Sequence, residues 1–308
     1  MRVSVLSSLN DTGGRFTVDA AGEHLARLRD EGFRRVWMTQ LPNEPDLLTV
    51  LAVALREVDG IEVGTGVIPI QNQHPMLLAQ RALTLSLISN RRFILGLGMT
   101  HRAVTEGMWG IPWDKPVRRL REYLDGLQPL LAGQPAEAVG ETVTTRGALQ
   151  IPGASAPEVY IAALGPQLLR LAGRRTAGTI TWMTGPKTLA EHIAPTLRAA
   201  AVEAGRSATD VRVVAALPVS VTDDPATARA GAAKQFAMYG YLPSYRAMLD
   251  REGFAGPADA AIIGDEATVA DRIQQLGAAG IDEFVGIAFD ESTEGRARTR
   301  ALLRRCDS

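Results

Sequence analysis

A single cysteine, Cys306, stands near the end of this chain of 308 residues, which excludes a disulfide framework and a cysteine-based metal site. Histidine is almost as scarce. The four histidines, His24, His74, His101 and His192, never recur at the spacing of a zinc helix, and Glu191-His192 lacks the second histidine such a helix needs. No charge of one sign dominates: 33 basic against 34 acidic residues, interspersed, leave a net charge of −1. There is then no electrostatic reason to expect nucleic acid or an anionic membrane as partner. Runs of about 18 uncharged apolar residues are absent, and MRVSVLSSLN has neither an apolar signal region nor a cleavage site. The expectation is a cytoplasmic protein with no membrane partner. Asn10-Asp11-Thr12 matches a glycosylation sequon, which means little without a secretion signal. No Pro/Gly/Ser-rich linker divides the chain, so one domain over residues 1–308 is expected, of a length that suits an α/β barrel.

What the chain has is alternation. Short β-branched or apolar runs at residues 3–7, 35–40, 61–69, 93–99, 159–163, 179–183, 211–221 and 283–289 read as strands. Amphipathic segments separate them, at 17–32, 46–58, 75–89, 116–131, 166–177, 189–204, 226–252 and 266–279, and a basic helix at 295–305 follows the last strand. Residues 133–157, rich in Gly, Pro, Ala and Thr, interrupt the rhythm after the fourth helix; with a small hairpin near 139–146 they read as an insertion. Eight strands alternating with helices predict a (β/α)8 TIM barrel, with a doubly wound open sheet as the alternative. Neither Gly-x-Gly of the chain extends to a Gly-x-Gly-x-x-Gly, because Gly98 is followed by Met99, Thr100 and His101, and this weighs against the open sheet.

The most informative stretch is VGTGVIPIQNQHPMLLAQRALTLSLISNRRFILGLGMTH, residues 63–101. Each of its two strands carries a Gly-x-Gly, Gly64-Thr65-Gly66 and Gly96-Leu97-Gly98. Glycine weakens a strand, so two such pairs suggest that something flat approaches the backbone closely. In a barrel the reactive groups stand at the C-terminal ends of the strands. That rule puts Thr39, Gln40, Gly66, Val67, Met99, Thr100, His101, the segment 163–166, Trp182, Met183, Thr184 and Thr222 on the working face. Carboxylates are few there, and Asp223-Asp224 before Pro225 reads as turn chemistry. His24 and His192 fall within helices as surface or packing residues, and His74 before Pro75 reads as a helix entry. His101 is either a reactive group at a strand end or an ordinary loop histidine. With no metal set, nucleophile constellation or acid pair, an organic cofactor is expected to bring the chemistry. Ala163, Leu164, Gly165 and Pro166 open a helix whose free N–H groups suit a phosphate. Arg170, Arg174 and Arg175 further along either reach an anionic tail or form a solvated basic face.

The runs GTGVIPIQNQHPMLLAQRALTLSLISNRRFILGLGMTH, VYIAALGPQLLRLAGRRTAGTITWMT and GLGMTHRAVTEGMWGIPWDKPVRRLREYL resemble the luciferase-like superfamily of TIM-barrel oxidoreductases. Within it the chain is most similar to the coenzyme F420-dependent branch that includes methylenetetrahydromethanopterin reductase. The resemblance implies a bacterial-luciferase-like barrel with a non-prolyl cis peptide at Gly66-Val67 against the deazaflavin ring. It implies that Thr39, Thr65, Gly66, Val67, Gly98, Met99, Thr100, Ala163, Leu164, Gly165, Pro166 and Trp182 bind the cofactor. Hydride transfer at the deazaflavin C5 would then reduce an activated C=C or C=N bond of a small-molecule or peptide-borne substrate, with His101 or Tyr241 as proton donor. Leu6 stands where methylenetetrahydromethanopterin reductases carry glutamate, and Gln40 where the branch's sugar-phosphate dehydrogenases carry histidine, which speaks against those two substrates. Residues 238–245, MYGYLPSY, are either a lid over the pocket or an aromatic-rich helix end packed on the barrel. The alternatives are an FMN-dependent monooxygenase on the same fold and a non-catalytic flavin- or deazaflavin-binding protein. Relatives commonly pair through helices beside the barrel, and the apolar helix at 76–88 is compatible with a homodimer or with burial in one subunit.

Overall fold

The computed structural model describes residues 1–12 and 16–307. In chain order the elements are β1 (Arg2–Ser7), α1 (Val18–Asp30), β2 (Arg35–Met38), α2 (Leu47–Glu57), β3 (Glu62–Thr65), β4 (Ile68–Pro69), α3 (Pro75–Ile88), β5 (Phe93–Gly98), α4 (Arg102–Gly107) and α5 (Pro116–Leu131). The antiparallel hairpin β6 (Ala136–Val139) and β7 (Thr144–Gly147) follows, then β8 (Val159–Ala162), α6 (Pro166–Arg175) and β9 (Gly178–Trp182). The chain continues with α7 (Pro186–Thr188), a π-helical turn (Leu189–Ile193), α8 (Ala194–Glu203), β10 (Arg212–Val221), α9 (Pro225–Gln235), α10 (Pro243–Glu252), β11 (Ile262–Gly264), α11 (Glu266–Ala278), β12 (Glu283–Ala288) and α12 (Thr293–Cys306). Parallel strands each followed by helix are the (β/α)8 class expected from the alternation. No described helix is long and apolar enough to cross a membrane.

Local chemistry sets the helix starts. Asp46 caps α2 by accepting from Thr49 N at 2.9 Å, and Ser292 caps α12 by accepting from Gly295 N at 2.9 Å. His74 does the same for α3, its Nδ1 accepting from Met76 N at 3.2 Å with Pro75 at the first helical position, so it is the helix entry expected. Asp224 caps α9, in keeping with the turn reading of its pair. The third strand breaks in two around Gly66-Val67, which is a cis peptide bond, as the resemblance implied. Three details differ from the sequence expectation. A short helix, α4, occupies the loop ahead of Trp109 and Trp113, and the short strand β11 was not foreseen. The single helix expected over 226–252 is two, parted by a 3-10 turn at Ala237–Gly240, with Pro243 at the first helical position of the second, where its missing N–H costs nothing.

The described chain forms two compact units. The first holds Met1–Ser7, Glu31–Trp37 and Ala163–Ser308. In it β10 pairs in parallel with β9, β11 and β12, and β12 with β1, in registers such as Ala215↔Thr181 and Val3↔Phe284. Strand β10, VVAALPVSV after its first residue, is buried from Val213 to Val221, as a parallel strand covered on both faces must be. A buried ion pair lies in this apolar setting. Glu283, the first residue of β12, is buried and accepts from Ser4 Oγ at 2.6 Å, Trp37 Nε1 at 2.8 Å and Arg35 Nη1 at 2.9 Å.

The second unit holds Ser8–Asp30 and Met38–Ala162. Here β5 pairs in parallel with β3, β4 and β8. The insertion is fixed to α5 by another buried carboxylate, Glu122, which accepts from Thr142 Oγ1 at 2.6 Å, Thr142 N at 2.7 Å and Val143 N at 3.1 Å. Burial pushes this carboxyl up, but the Thr142 and Val143 hydrogen bonds and Arg118 outweigh it and hold the group below its ordinary value. Its stabilising effect is therefore present above the ordinary carboxyl range and is lost as the pH falls through the depressed value.

Removing Glu283 strands Arg35 without its carboxylate. Glu283→Ala is expected to cost about 3 to 5 kcal/mol in urea unfolding, the usual effect of breaking a buried ion pair from one side. A loss under about 1 kcal/mol would show that water replaces the carboxylate.

Candidate functional site

In the second unit, the ends of β3, β4 and β5 meet at a glycine. A Cβ built on Gly98 would stand 2.4 Å from Val67 Cγ2, closer than real side chains come, and a tight 3.2 Å from Ala162 Cβ. Glycine is required at Gly98 so that Val67 can lie against bare backbone. Beyond Val67 the chain rejoins the sheet, with Pro69 opposite Gly98 and Ile70 N donating to Gly98 O at 3.1 Å. Gly66 N donates to Met38 O at 2.8 Å, which places the half-buried Thr39 next to the same bulge in sequence and pairing. Thr65 behaves differently from its expected cofactor role. Its fully buried hydroxyl donates to Gly96 O and accepts from Gly96 N, both at 2.9 Å, so the side chain is spent on joining β3 to β5.

Met99, Thr100 and His101 leave the end of β5 half-buried. His101 opens α4, and its carbonyl accepts from Val104 N at 2.9 Å and Thr105 N at 3.0 Å. Burial pushes its imidazole below the ordinary value, so it is neutral at pH 7 and titrates at more acid pH. Gln40, also on the expected working face, braces its own loop: Oε1 accepts from Leu47 N at 2.7 Å and Nε2 donates to Leu41 O at 2.8 Å.

One residue of this group escaped the sequence reading. Gln71 is 8% exposed; its Oε1 accepts from Thr100 N at 3.4 Å, and its Nε2 has no hydrogen-bond partner. A buried donor left unmade costs about 1 to 3 kcal/mol. QNQH is a run of four polar residues in which Asn72 and His74 are exposed and Gln73 is half-buried with its amide on Pro69 O. Nothing in the sequence separates Gln71 from these neighbours.

In the first unit, the segment after β8 prepares a helix start. Ala163 is buried, Leu164 O accepts from His192 Nε2 at 2.9 Å, Gly165 is the N-cap of α6 without a side-chain cap, and Pro166 follows. The leading N–H groups of α6 therefore have no side-chain acceptor at the cap. His192 is the packing residue expected, and it holds this loop. Arg174 and Arg175 stand in the last turn of α6, where positive charge suits the C-terminal dipole, and Arg174 pairs with Glu203 at 3.0 Å.

Trp182 ends β9 inside an aromatic cluster. Its ring meets Phe236 at 5.9 Å and Tyr239 at 5.7 Å, both edge-on, and Tyr239 meets Tyr245 at 5.0 Å. Burial raises Tyr239, offset in part by the Trp182 indole, and raises Tyr245 well above the ordinary phenol value. Tyr241 is 86% exposed, so the tyrosine that this segment brings to Trp182 is Tyr239 rather than the one expected. Glu252 of α10 accepts from Thr188 N at 2.7 Å and Lys187 N at 3.0 Å, which ties the segment after the aromatic cluster to the start of α7.

With this geometry established, comparison with known proteins gives a consistent result. Residues 2–283 match the family model described as Luciferase-like monooxygenase. The chain is 31% identical over 210 residues, 68% of its length, to a 5,10-methylenetetrahydromethanopterin reductase of Methanolobus tindarius, and spans 64% of that relative. It is 30% identical over 230 residues, 74% of its length and 68% of the relative, to the reductase of the same name from Archaeoglobus fulgidus. Among solved structures, the coenzyme F420-dependent tetrahydromethanopterin reductase of Methanopyrus kandleri superposes with a TM-score of 0.79 at 24% identity, covering 99% of this chain and 97% of that one. The oxygenating constituent of 3,6-diketocamphane monooxygenase from Pseudomonas putida, in complex with FMN, gives 0.76 at 18% identity, covering 99% and 98%. These structural likenesses establish the luciferase-like barrel as the fold.

The contact between Gly98 and Val67 can be tested as a pair. Gly98→Ala is expected to destabilise by about 1 to 3 kcal/mol through overpacking, and Val67→Ala added to it is expected to restore at least half of the loss in urea unfolding. Simple additivity of the two would mean that the two side chains do not meet.

Proposed function

We propose that this chain, which belongs to the luciferase-like monooxygenase family, is a coenzyme F420-dependent oxidoreductase acting on an activated C=C or C=N bond. The observation that carries this reading is the 30 to 31% identity with two methylenetetrahydromethanopterin reductases. When bound, F420 supplies a hydride donor or acceptor at C5 of its deazaflavin ring. The residues of the second unit fit a planar ring: Val67 is fixed against the bare backbone of Gly98, and Gln71 presents an unpaired donor. Gly66, Val67, Gly98, Met99 and Thr100 are accordingly the proposed ring contacts, with Thr39 beside them. For the first unit, the uncapped start of α6 at Gly165-Pro166 supports an anion seat formed with Ala163 and Leu164, and Trp182 supplies an apolar wall.

His101 is the proposed proton-transfer group. Reduction of a double bond needs its protonated form, oxidation its neutral form. Leu6 and the committed Gln40 support a substrate other than methylenetetrahydromethanopterin or a sugar phosphate. The exposure of Tyr241 gives no support to it as a donor. A homodimer is proposed as well, with Leu77 and Leu87 exposed on α3 as apolar candidates for the interface; light scattering that reads a monomer at micromolar concentration would remove it.

The FMN-dependent monooxygenase reading is favoured by the FMN-bound structural neighbour. Fluorescence-quenching titrations with F420 and with FMN separate the two: tighter binding of F420 is expected, and preference for FMN with oxygen consumption would reverse the assignment. Under the first reading, the reductive rate is expected to fall as pH rises through an apparent pKa below the ordinary histidine value of about 6.5, and the oxidative rate to rise through it. His101→Ala is expected to lower turnover about a hundredfold and to abolish that limb, with F420 affinity little changed. An unaltered pH profile would remove His101 from the chemistry.

A further inference from the structure

Resting on the cofactor reading above, we infer that Gln71 is a ligand-contacting residue whose carboxamide Nε2 donates a hydrogen bond to a carbonyl oxygen of the bound cofactor ring. The orientation of the amide is fixed by its neighbour. Thr100 N is a donor, so the atom facing it at 3.4 Å must be Oε1, and Nε2 is necessarily the atom left without a partner. The backbone just before it is held as well, with Ile70 N donating to Gly98 O at 3.1 Å and Pro69 O accepting from the Gln73 side-chain Nε2 at 2.9 Å. Gln71 therefore cannot easily turn outward to find water, and at 8% exposed it is more than nine-tenths buried.

Folded chains pair nearly all buried donors, so one left unpaired beside the strand ends where the cofactor is proposed to bind has a reason to stay free: a ligand acceptor. The chemistry of that partner is narrow. An amide NH2 has only hydrogens to offer, so it selects an acceptor and rejects a cation. Its neighbours are the Gly98 carbonyl contact and Thr100, so the donor belongs to the same strand ends as the Val67 bulge. Deazaflavin and flavin rings share a pyrimidinedione edge with carbonyl oxygens, and either would complete the bond.

The test is a fluorescence-quenching titration of the full chain with F420 and separately with FMN, run on the parent protein, Gln71→Glu and Gln71→Leu. The thermal midpoints of the three cofactor-free proteins are measured alongside. Glu keeps an acceptor for Thr100 N but turns the donor into an acceptor; Leu removes both. Both variants are expected to weaken cofactor binding by about tenfold or more, as for a lost buried hydrogen bond, with midpoints near the parent value. Parent-like affinity in Gln71→Glu would overturn the assignment, and so would a collapse of both midpoints, which would make the residue structural. A parent protein that binds neither cofactor would fail the cofactor reading itself, and this inference with it, before any variant is compared.

Discussion

The fold of the first unit turns on one carboxylate. Glu283 stands at the start of β12, where three donors from β1 and β2 converge on it: the Ser4 hydroxyl, the Trp37 indole and the Arg35 guanidinium. Each of the four is buried, so none can be exchanged for water without disturbing the rest. The arrangement fixes which residue of β12 opens the strand, and with it the register Arg2↔Glu283 and Val214↔Glu283 along both neighbours. A strand slipped by one residue would point its apolar side chains the wrong way and leave Arg35 unpaired in the interior. Apolar burial supplies the stability of β10 and β12; the ionic cluster supplies their alignment.

The second unit carries a constraint of the opposite kind, an absence of side chain. Gly98 must be bare because Val67 already fills the space a Cβ would take. Thr65, two residues before Val67, joins β3 to Gly96 with its hydroxyl. The two Gly-x-Gly runs thus have separate duties: the threonine between Gly64 and Gly66 ties strands together, and Gly98 admits the bulge. The polar groups nearby are mostly occupied. Gln40 serves its loop and Gln73 serves Pro69, which makes the idle Nε2 of Gln71 the more conspicuous among the described residues.

Burial lowers the His101 imidazole in the second unit, and in the first unit it raises the Tyr239 and Tyr245 phenols further above their ordinary value. The aromatic cluster around Trp182, in the first unit, presents ring edges and little charge.

The order of elements was legible because it rests on short-range periodicity: α5 begins and ends where its Pro116 and apolar stripe predict, and Asp46, His74 and Ser292 cap the helices that follow them. The resemblance located the break at Gly66-Val67, and the glycines announced that backbone there is approached closely. What the sequence could not decide depends on contacts between residues distant in the chain. Gln71 and Thr100 meet across 29 positions, Glu283 and Arg35 across 248, and neither pairing leaves a trace in local pattern. Likewise only tertiary packing separates Tyr239, in contact with Trp182, from Tyr241, in solvent, two residues apart on a short turn. Propensity and period determine which elements form, because they act within a turn or two of chain. Which polar atom finds a partner, and which is left for a ligand, is decided by the few ångströms that packing alone sets.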